Sequence, residues 1–313
     1  MAETRLIDHL SGKLGIENKS LIEKDFILHS ILVKLQEDKN FSKNYIFKGG
    51  TCLVKCYLGY YRFSEDLDFT YLNQGLFKDM GKKDLRKAIS KEIDKLGRLF
   101  MKICGDIGMD FKSKRNDKRY FEYGGGNRFL TLKLWYHSLI EKKEQFIKIQ
   151  VNFVELLKYK TKRLEARNLL NVADEKELTF LFPEYAATLL ARPKILAYDL
   201  REILLEKIRA ILTRKGTKAR DFVDVFLILK HLGRDIEDFE GDIAAKVRFM
   251  LKFEKYAANL EEKSRQASWI RVGEEKYLLL KEIYGYEKFI KEFDVFLKRI
   301  AKELIKQHLG DSK

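Results

Sequence analysis

Proline occurs only twice in the 313 residues, at Pro183 and Pro193. So few breakers suit a helix-rich body and argue against a proline-rich linker. Cysteine is nearly as scarce, with Cys52, Cys56 and Cys104 alone. Three thiols cannot build a disulfide scaffold. Cys52 and Cys56 also lack the second Cys/His pair that a four-ligand zinc site needs. Buried thiols in a reducing compartment are the expected reading. No apolar run approaches the ~20 residues of a membrane span, and the opening MAETRLIDHL lacks a signal-peptide core. A cytoplasmic chain with no membrane partner is therefore expected. The five histidines, His9, His29, His137, His231 and His308, are scattered without ligand spacing.

What the chain does have is charge. Lysine and arginine number 62 against 47 acids, a formal net charge of +15. Abundant charge of both signs is also what a heat-adapted surface carries, but the imbalance points to a polyanionic partner, most simply nucleic acid. At 45% hydrophobic and 12% aromatic residues the chain is globular, with enough length for two domains.

Along the chain, Ser20-Leu21-Ile22-Glu23 has the form of a capping box before an amphipathic stretch from Lys24 to Leu35. Tyr45 to Lys48 reads as a short strand, Gly49-Gly50-Thr51 as a turn, and Cys52 to Leu58 as a helix. Asp66 to Tyr71 alternates strictly, which puts Asp66, Asp68 and Thr70 on one face and Leu67, Phe69 and Tyr71 on the other. Lys83 to Cys104 reads as a long amphipathic helix. Two more alternating runs follow, Leu130 to Tyr136 and Ile147 to Phe153. From Glu184 onward the pattern is almost wholly helical, with helices over Asp199 to Arg214 and Thr217 to Leu232. A mixed α/β first half and a helical second half are expected to meet near Phe182-Pro183.

Two carboxylates at i and i+2 of a strand repel each other unless a cation lies between them. A hard ion such as Mg²⁺ takes oxygen ligands and completes its shell with substrate phosphates. The Gly-Gly-Thr turn lets backbone approach a phosphate closely, and the helix after it offers free N–H groups, with Thr51 adding a hydroxyl donor. The order strand, Gly-Gly-Thr, helix, Asp-x-Asp thus reads as a triphosphate cradle beside a metal site. The alternative is a helix cap followed by a solvated edge strand. Tyr60-Tyr61-Arg62-Phe63 mixes aromatics with a cation and could stack on a base or pack in the core. Arg214, Lys215, Lys218 and Arg220 are dense enough for phosphate contacts, and equally form an ordinary charged loop between helices.

The stretch KGGTCLVKCYLGYYRFSEDLDF resembles the AbiEii/AbiGii toxin family of nucleotidyltransferases, in the polymerase-β-like superfamily. IEKDFILHSIL resembles that family's N-terminal helix, and LREILLEKIRAILTRKGTKARDFVDVFLIL its downstream motif. The resemblance spans about Ile22 to Leu229. It implies an α+β fold, with a polymerase-β-like nucleotidyltransferase domain over 1–182 and an α-helical domain over 183–313 that completes the cleft. It implies that Lys48, Gly49, Gly50, Thr51, Ser64 and Lys207 serve the nucleotide. It makes Asp66 and Asp68 the ligands of Mg²⁺ (or Mn²⁺) and, with Lys207 and Asp221, the catalytic set. Arg62, Arg214, Lys215, Lys218 and Arg220 then fall to nucleic acid. The implied activity is metal-dependent transfer of NMP from an NTP to a hydroxyl, with the tRNA acceptor end as the leading acceptor. The implied setting is a toxin with a cognate antitoxin. Transfer to protein, to small molecules or to itself is the first rival, and a weakly active RNA-binding member of the fold the second. One departure stands out. Where the family carries a third acid on a later strand, this chain has Gln150.

Overall fold

The computed structural model describes residues 3–77, 80–125, 127–170, 175–266, 269, 279–280 and 282–310. By contacts the chain forms two compact units. The first comprises 1–155 with 161–198, and the second 156–160 with 199–313.

In the first unit, helices α1 (Thr4–Leu14), α2 (Lys19–Glu37) and α3 (Lys39–Asn44) lead into β1 (Tyr45–Lys48). A one-turn helix α4 (Gly49–Cys52) continues as a π-helical turn, Leu53–Leu58, before β2 (Asp66–Tyr71). Then come α5 (Lys82–Ile107), β3 (Phe121–Gly124), β4 (Phe129–His137), β5 (Glu144–Asn152), β6 (Lys162–Glu165), α6 (Glu175–Leu181), α7 (Pro183–Leu190) and β7 (Lys194–Ala197). The seven strands form one mixed sheet in the order β3-β4-β5-β2-β1-β7-β6. β2 runs antiparallel to β1 and parallel to β5, and β7 runs parallel to β1.

Alternation decides the two faces. Phe47, Phe69, Val151 and Leu130 are consecutive cross-strand partners, all fully buried, as are Leu67, Ile149 and Leu132. This apolar face carries the core, where the Phe41 ring stacks on Tyr45 at 4.7 Å and meets Phe69 edge-on at 5.0 Å. The other face carries Lys48, Asp68, Gln150 and Thr131 in one row and Asp66, Lys148 and Lys133 in the next.

The expected capping box at Ser20 does not form. Glu23 turns into the core, where its two oxygens accept bonds from the Ser138 hydroxyl at 2.6 Å and the Leu139 N–H at 2.7 Å. Two four-residue strands, β6 and β7, fall where the sequence offers too short a run to show a period. Because β7 pairs with β1, residues 183–198 pack with the sheet, and the contacts divide at Tyr198–Asp199.

The second unit holds α8 (Leu200–Thr213), α9 (Ala219–Leu232), α10 (Glu240–Leu251), α11 (Glu254–Ser264) and α12 (Tyr286–Gly310). Segment 156–160 belongs here through Glu202, which accepts from the Lys158 and Tyr159 N–H groups at 2.8 Å and pairs with buried Lys246. Lys246 also donates to the Leu156 carbonyl at 3.0 Å. Among the described residues no helix is long and apolar enough to cross a membrane.

Lys246 is 0% and Glu202 1% exposed, and Lys246 also meets Glu206 Oε1 at 2.9 Å, so removing Glu202 leaves the buried ammonium with one carboxylate. We expect Glu202→Ala to destabilise the second unit by about 3 kcal/mol, the low end for a broken buried pair, read as a lowered urea midpoint at neutral pH. An unchanged midpoint refutes this role.

Candidate active site

The turn after β1 is shaped by what lies against it. Gly49 has φ +78°, and a Cβ there would fall 2.2 Å from Asp68 Oδ2. At Gly50 a Cβ would fall 2.6 Å from Arg62 Nη2 and 3.0 Å from Ser64 Oγ. Each glycine is thus needed for close approach, the first also for its left-handed backbone. What approaches Gly49 is the carboxylate that the sequence reading gives to a metal.

Thr51 is 1% exposed, and its hydroxyl donates to the Asp66 carbonyl, with Ser64 Oγ at 2.8 Å. The expected phosphate donor is therefore committed to locking the turn onto the start of β2. Arg62, assigned from sequence to nucleic acid, is 2% exposed; its guanidinium donates to the Phe63 carbonyl at 2.7 Å and backs Gly50. Tyr60, for which both base stacking and core packing are open from sequence, accepts from Lys55 Nζ at 2.6 Å and bonds the Asp25 carboxylate at 2.9 Å. Asp25 and Lys55 are themselves a buried ion pair at 2.7 Å that fastens the π-helical turn to α2.

Asp66 and Asp68 are half-buried on the polar face of β2. Their register on β5 is Asp66 with Lys148 and Asp68 with Gln150. Gln150 therefore lies next to Asp68, on the same face. On the other side of Asp68 is Lys48, 8% exposed, 3.5 Å from Glu155 Oε2 and 5.6 Å from the Tyr198 ring centre. Glu155 also accepts from Asn152 Nδ2 at 3.1 Å. Neither Glu155 nor Lys148 is distinguishable in sequence: one is a lone acid past a strand end, the other a lysine in an alternating run.

The donor set decides what this face can hold. Two aspartates flanked by a glutamine are hard oxygen donors. Among the described residues no group of three or more His, Cys, Asp or Glu side chains converges. That suits an oxygen-seeking ion that keeps waters and substrate phosphates in its shell, as Mg²⁺ or Mn²⁺ does, and not a protein-enclosed zinc.

In the second unit, Lys207 Nζ lies 2.8 Å from Asp221 Oδ1 and 2.7 Å from Asp224 Oδ2, and Arg214 Nη1 lies 2.8 Å from Asp221 Oδ2. Asp221 is 3% and Asp224 0% exposed. Asp224, on α9, thus meets Lys207 on α8. Burial pushes the Asp221 carboxyl up, but Lys207 and Arg214 outweigh it and hold the group below its ordinary value of 3.8. Arg214 pairs with Asp221 through one nitrogen, and its side chain stays 41% exposed. Lys215 and Lys218 are exposed, and Arg220 is half-buried. Buried Lys263 shapes the same loop by donating to the Ile211 and Gly216 carbonyls. Burial, with Arg214 nearby, lowers its ammonium to about 8.

A mixed sheet that sets a Gly-Gly turn against an Asp-x-Asp strand is the core of a nucleotidyltransferase domain. The chain belongs to the nucleotidyl transferase AbiEii toxin family of type IV toxin–antitoxin systems, whose model matches residues 30–299. Two crystal structures from Helicobacter pylori are similar over nearly the whole chain. JHP933 is 18% identical with a TM-score of 0.42, covering 94% of this chain and 97% of that one. A candidate nucleotidyltransferase is 16% identical with a TM-score of 0.40, covering 92% and 96%. No curated protein matches the sequence.

Gly49→Ala must move Asp68 or the turn. We expect it to cost about 1–3 kcal/mol through the left-handed backbone alone. Asp68→Gly in the same chain should recover only the part due to the clash. A single Gly49→Ala as stable as wild type in thermal unfolding refutes the contact.

The lowered Asp221 carboxyl gives a signed pH dependence. Its contribution is present above 3.8, the value it regains on unfolding, and is lost as pH falls through the lower folded value. Asp221→Asn should cost about 3 kcal/mol at neutral pH, the low end for a broken buried pair because Asp224 still answers Lys207. The gap from wild type should narrow below pH about 4. Urea titrations across that range check this, and a gap independent of pH refutes it.

Proposed function

We propose that the chain transfers an NMP from an NTP to a hydroxyl of RNA, the tRNA acceptor end being the leading acceptor. The observation that carries this reading is the register of β1, turn, β2 and β5, which sets Gly49 backbone, Asp68, Gln150 and Lys48 side by side.

In this reading Asp66 and Asp68 hold a divalent cation, which supplies charge neutralisation at the α-phosphate and the departing pyrophosphate. Gly49 and Gly50 present backbone to the triphosphate at the start of α4. Lys48, held by Glu155, adds a fixed positive charge beside Asp68. The acceptor oxygen bonds to the α-phosphorus as the bond to the bridging oxygen breaks, and pyrophosphate leaves with that electron pair. The acceptor proton goes to water. Gln150 is an amide, and the Asp221 carboxylate is stabilised as an anion with both oxygens engaged, so neither is suited to take it. Asp221 and Asp224 instead act on Lys207 as positioning residues, fixing an ammonium that the family resemblance gives to the nucleotide.

Asp66→Asn and Asp68→Asn should each lower single-turnover NMP transfer to tRNA by at least about 10²-fold, since each removes a metal ligand, while leaving thermal unfolding unchanged or slightly raised. Gln150→Glu should keep or raise activity, because it restores the acid beside Asp68. Wild-type rates in both aspartate variants overturn the assignment of this face.

A further inference from the structure

The inference concerns the outer face of α5 and rests on the reading of RNA as acceptor. Leu85, Ile89, Ile93, Leu96, Phe100 and Ile103 form the buried side of this helix. Phe100 meets Phe41 edge-on at 6.3 Å, and Phe41 in turn meets Phe69 on the apolar face of the sheet. The opposite side of α5 therefore turns to water on the far side of the sheet from Asp66 and Asp68. There Lys87, Lys91, Lys95, Arg98 and Lys102 are all exposed.

Steps of four, four, three and four residues keep these five on one stripe, about 22 Å long with a cation roughly every 6 Å. Lys95 is bonded to Glu92 at 2.6 Å; the other four have no ion-pair partner among the described residues. Nearby Asp94 is answered by Arg115 at 3.3 Å, and Asp84 and Asp106 stand near the two ends. Beside the last three cations lies a cavity of about 280 Å³, lined by them and by Asn40, Phe41 and Tyr45. Asp38 also borders it, but its carboxylate is engaged by the Phe41 N–H at 2.7 Å. A membrane surface would call for an exposed apolar flank beside the charges, whereas the apolar side of α5 is buried. Phe41 and Tyr45 are 2% and 1% exposed, so the notch adds no ring face, and the regularly repeated cations fit a regularly charged polymer.

We propose that this face of α5 is a docking surface for the phosphodiester backbone of RNA. Because it faces away from Asp66 and Asp68, it holds a part of the RNA remote from the reacting hydroxyl.

The test compares wild type with the variant Lys87→Gln, Lys91→Gln, Arg98→Gln, Lys102→Gln by anisotropy titration of labelled unfractionated tRNA between about 50 and 200 mM KCl. Each lost phosphate contact removes about 0.7–0.9 from the slope of log K against log salt, so the slope should become shallower by about 3, with affinity reduced at least tenfold. A control, Lys288→Gln, Lys291→Gln, Lys302→Gln, Lys306→Gln, loses the same charge from exposed positions on α12 and should change the slope by less than about 1. Equal losses in both variants overturn the proposal, because net charge then explains them. So does a wild-type slope in the α5 variant, whether or not that variant loses affinity for polyglutamate, the stand-in for an acidic protein. If wild type transfers NMP to tRNA in that case, the proposed function stands and only the docking surface falls. If wild type neither binds nor modifies tRNA, both fall together.

Discussion

The first unit depends on one close approach, between the backbone of Gly49 and the carboxylate of Asp68. The carboxylate occupies the space of a missing side chain, so the turn cannot shift without moving the strand. The same contact explains why Thr51 has no hydroxyl to spare. A turn packed this tightly must be tied at its far end, and Thr51 ties it to the Asp66 carbonyl. Arg62 fills the space behind Gly50 for the same reason. Residues that sequence reading assigns to ligands are thus used to set the backbone that meets the ligand.

Buried lysines are the second theme. Lys55, Lys246 and Lys263 are each no more than 2% exposed, and the Lys207 side chain is 12% exposed. Lys55 and Lys246 answer carboxylates on other elements, and Lys263 answers backbone carbonyls of the loop after α8. A buried ion pair is weak evidence for net stability, because desolvation offsets much of the attraction. Its consistent effect is on geometry, since a mispaired alternative leaves a bare charge in the core. Here the pairs fix the π-helical turn, segment 156–160 and Lys207. Since Lys55, Lys246 and Lys207 are each matched by carboxylates, the basic excess lies mainly at the surface, where α5 carries one ordered run.

What sequence shows follows from what has a period. β1 and β2 are read to the residue, and the face shared by Asp66, Asp68 and Gln150 follows from alternation once β5 neighbours β2. Helices α5, α8 and α9 are read within a few residues. Four-residue strands have no period to read: β6 and β7 escape, and β1, equally short, is marked by the Gly-Gly-Thr turn that follows it. Capping boxes are local inferences, and long-range partners override them. Glu23 is taken by Ser138, more than a hundred residues away, and Asp224 is taken by Lys207 on another helix. Arg62 and Tyr60 are placed by contacts that composition cannot announce: Arg62 backs Gly50 and donates to the Phe63 carbonyl, and Tyr60 bonds the buried Asp25 carboxylate.

The amide at Gln150 has a consequence for how the polar face works. With a carboxylate there, three negative charges would crowd one edge of β2. With an amide, the face has one charge fewer, and Lys48, the cross-strand neighbour of Asp68, also meets Glu155 beyond the end of β5. A two-aspartate face of this kind is less repulsive in the free protein, and it leaves more of a metal's shell to the substrate. What the structure fixes on this face is position: the Gly49–Asp68 approach sets the backbone of the turn, and the Lys48–Glu155 pair sets a charge beside it.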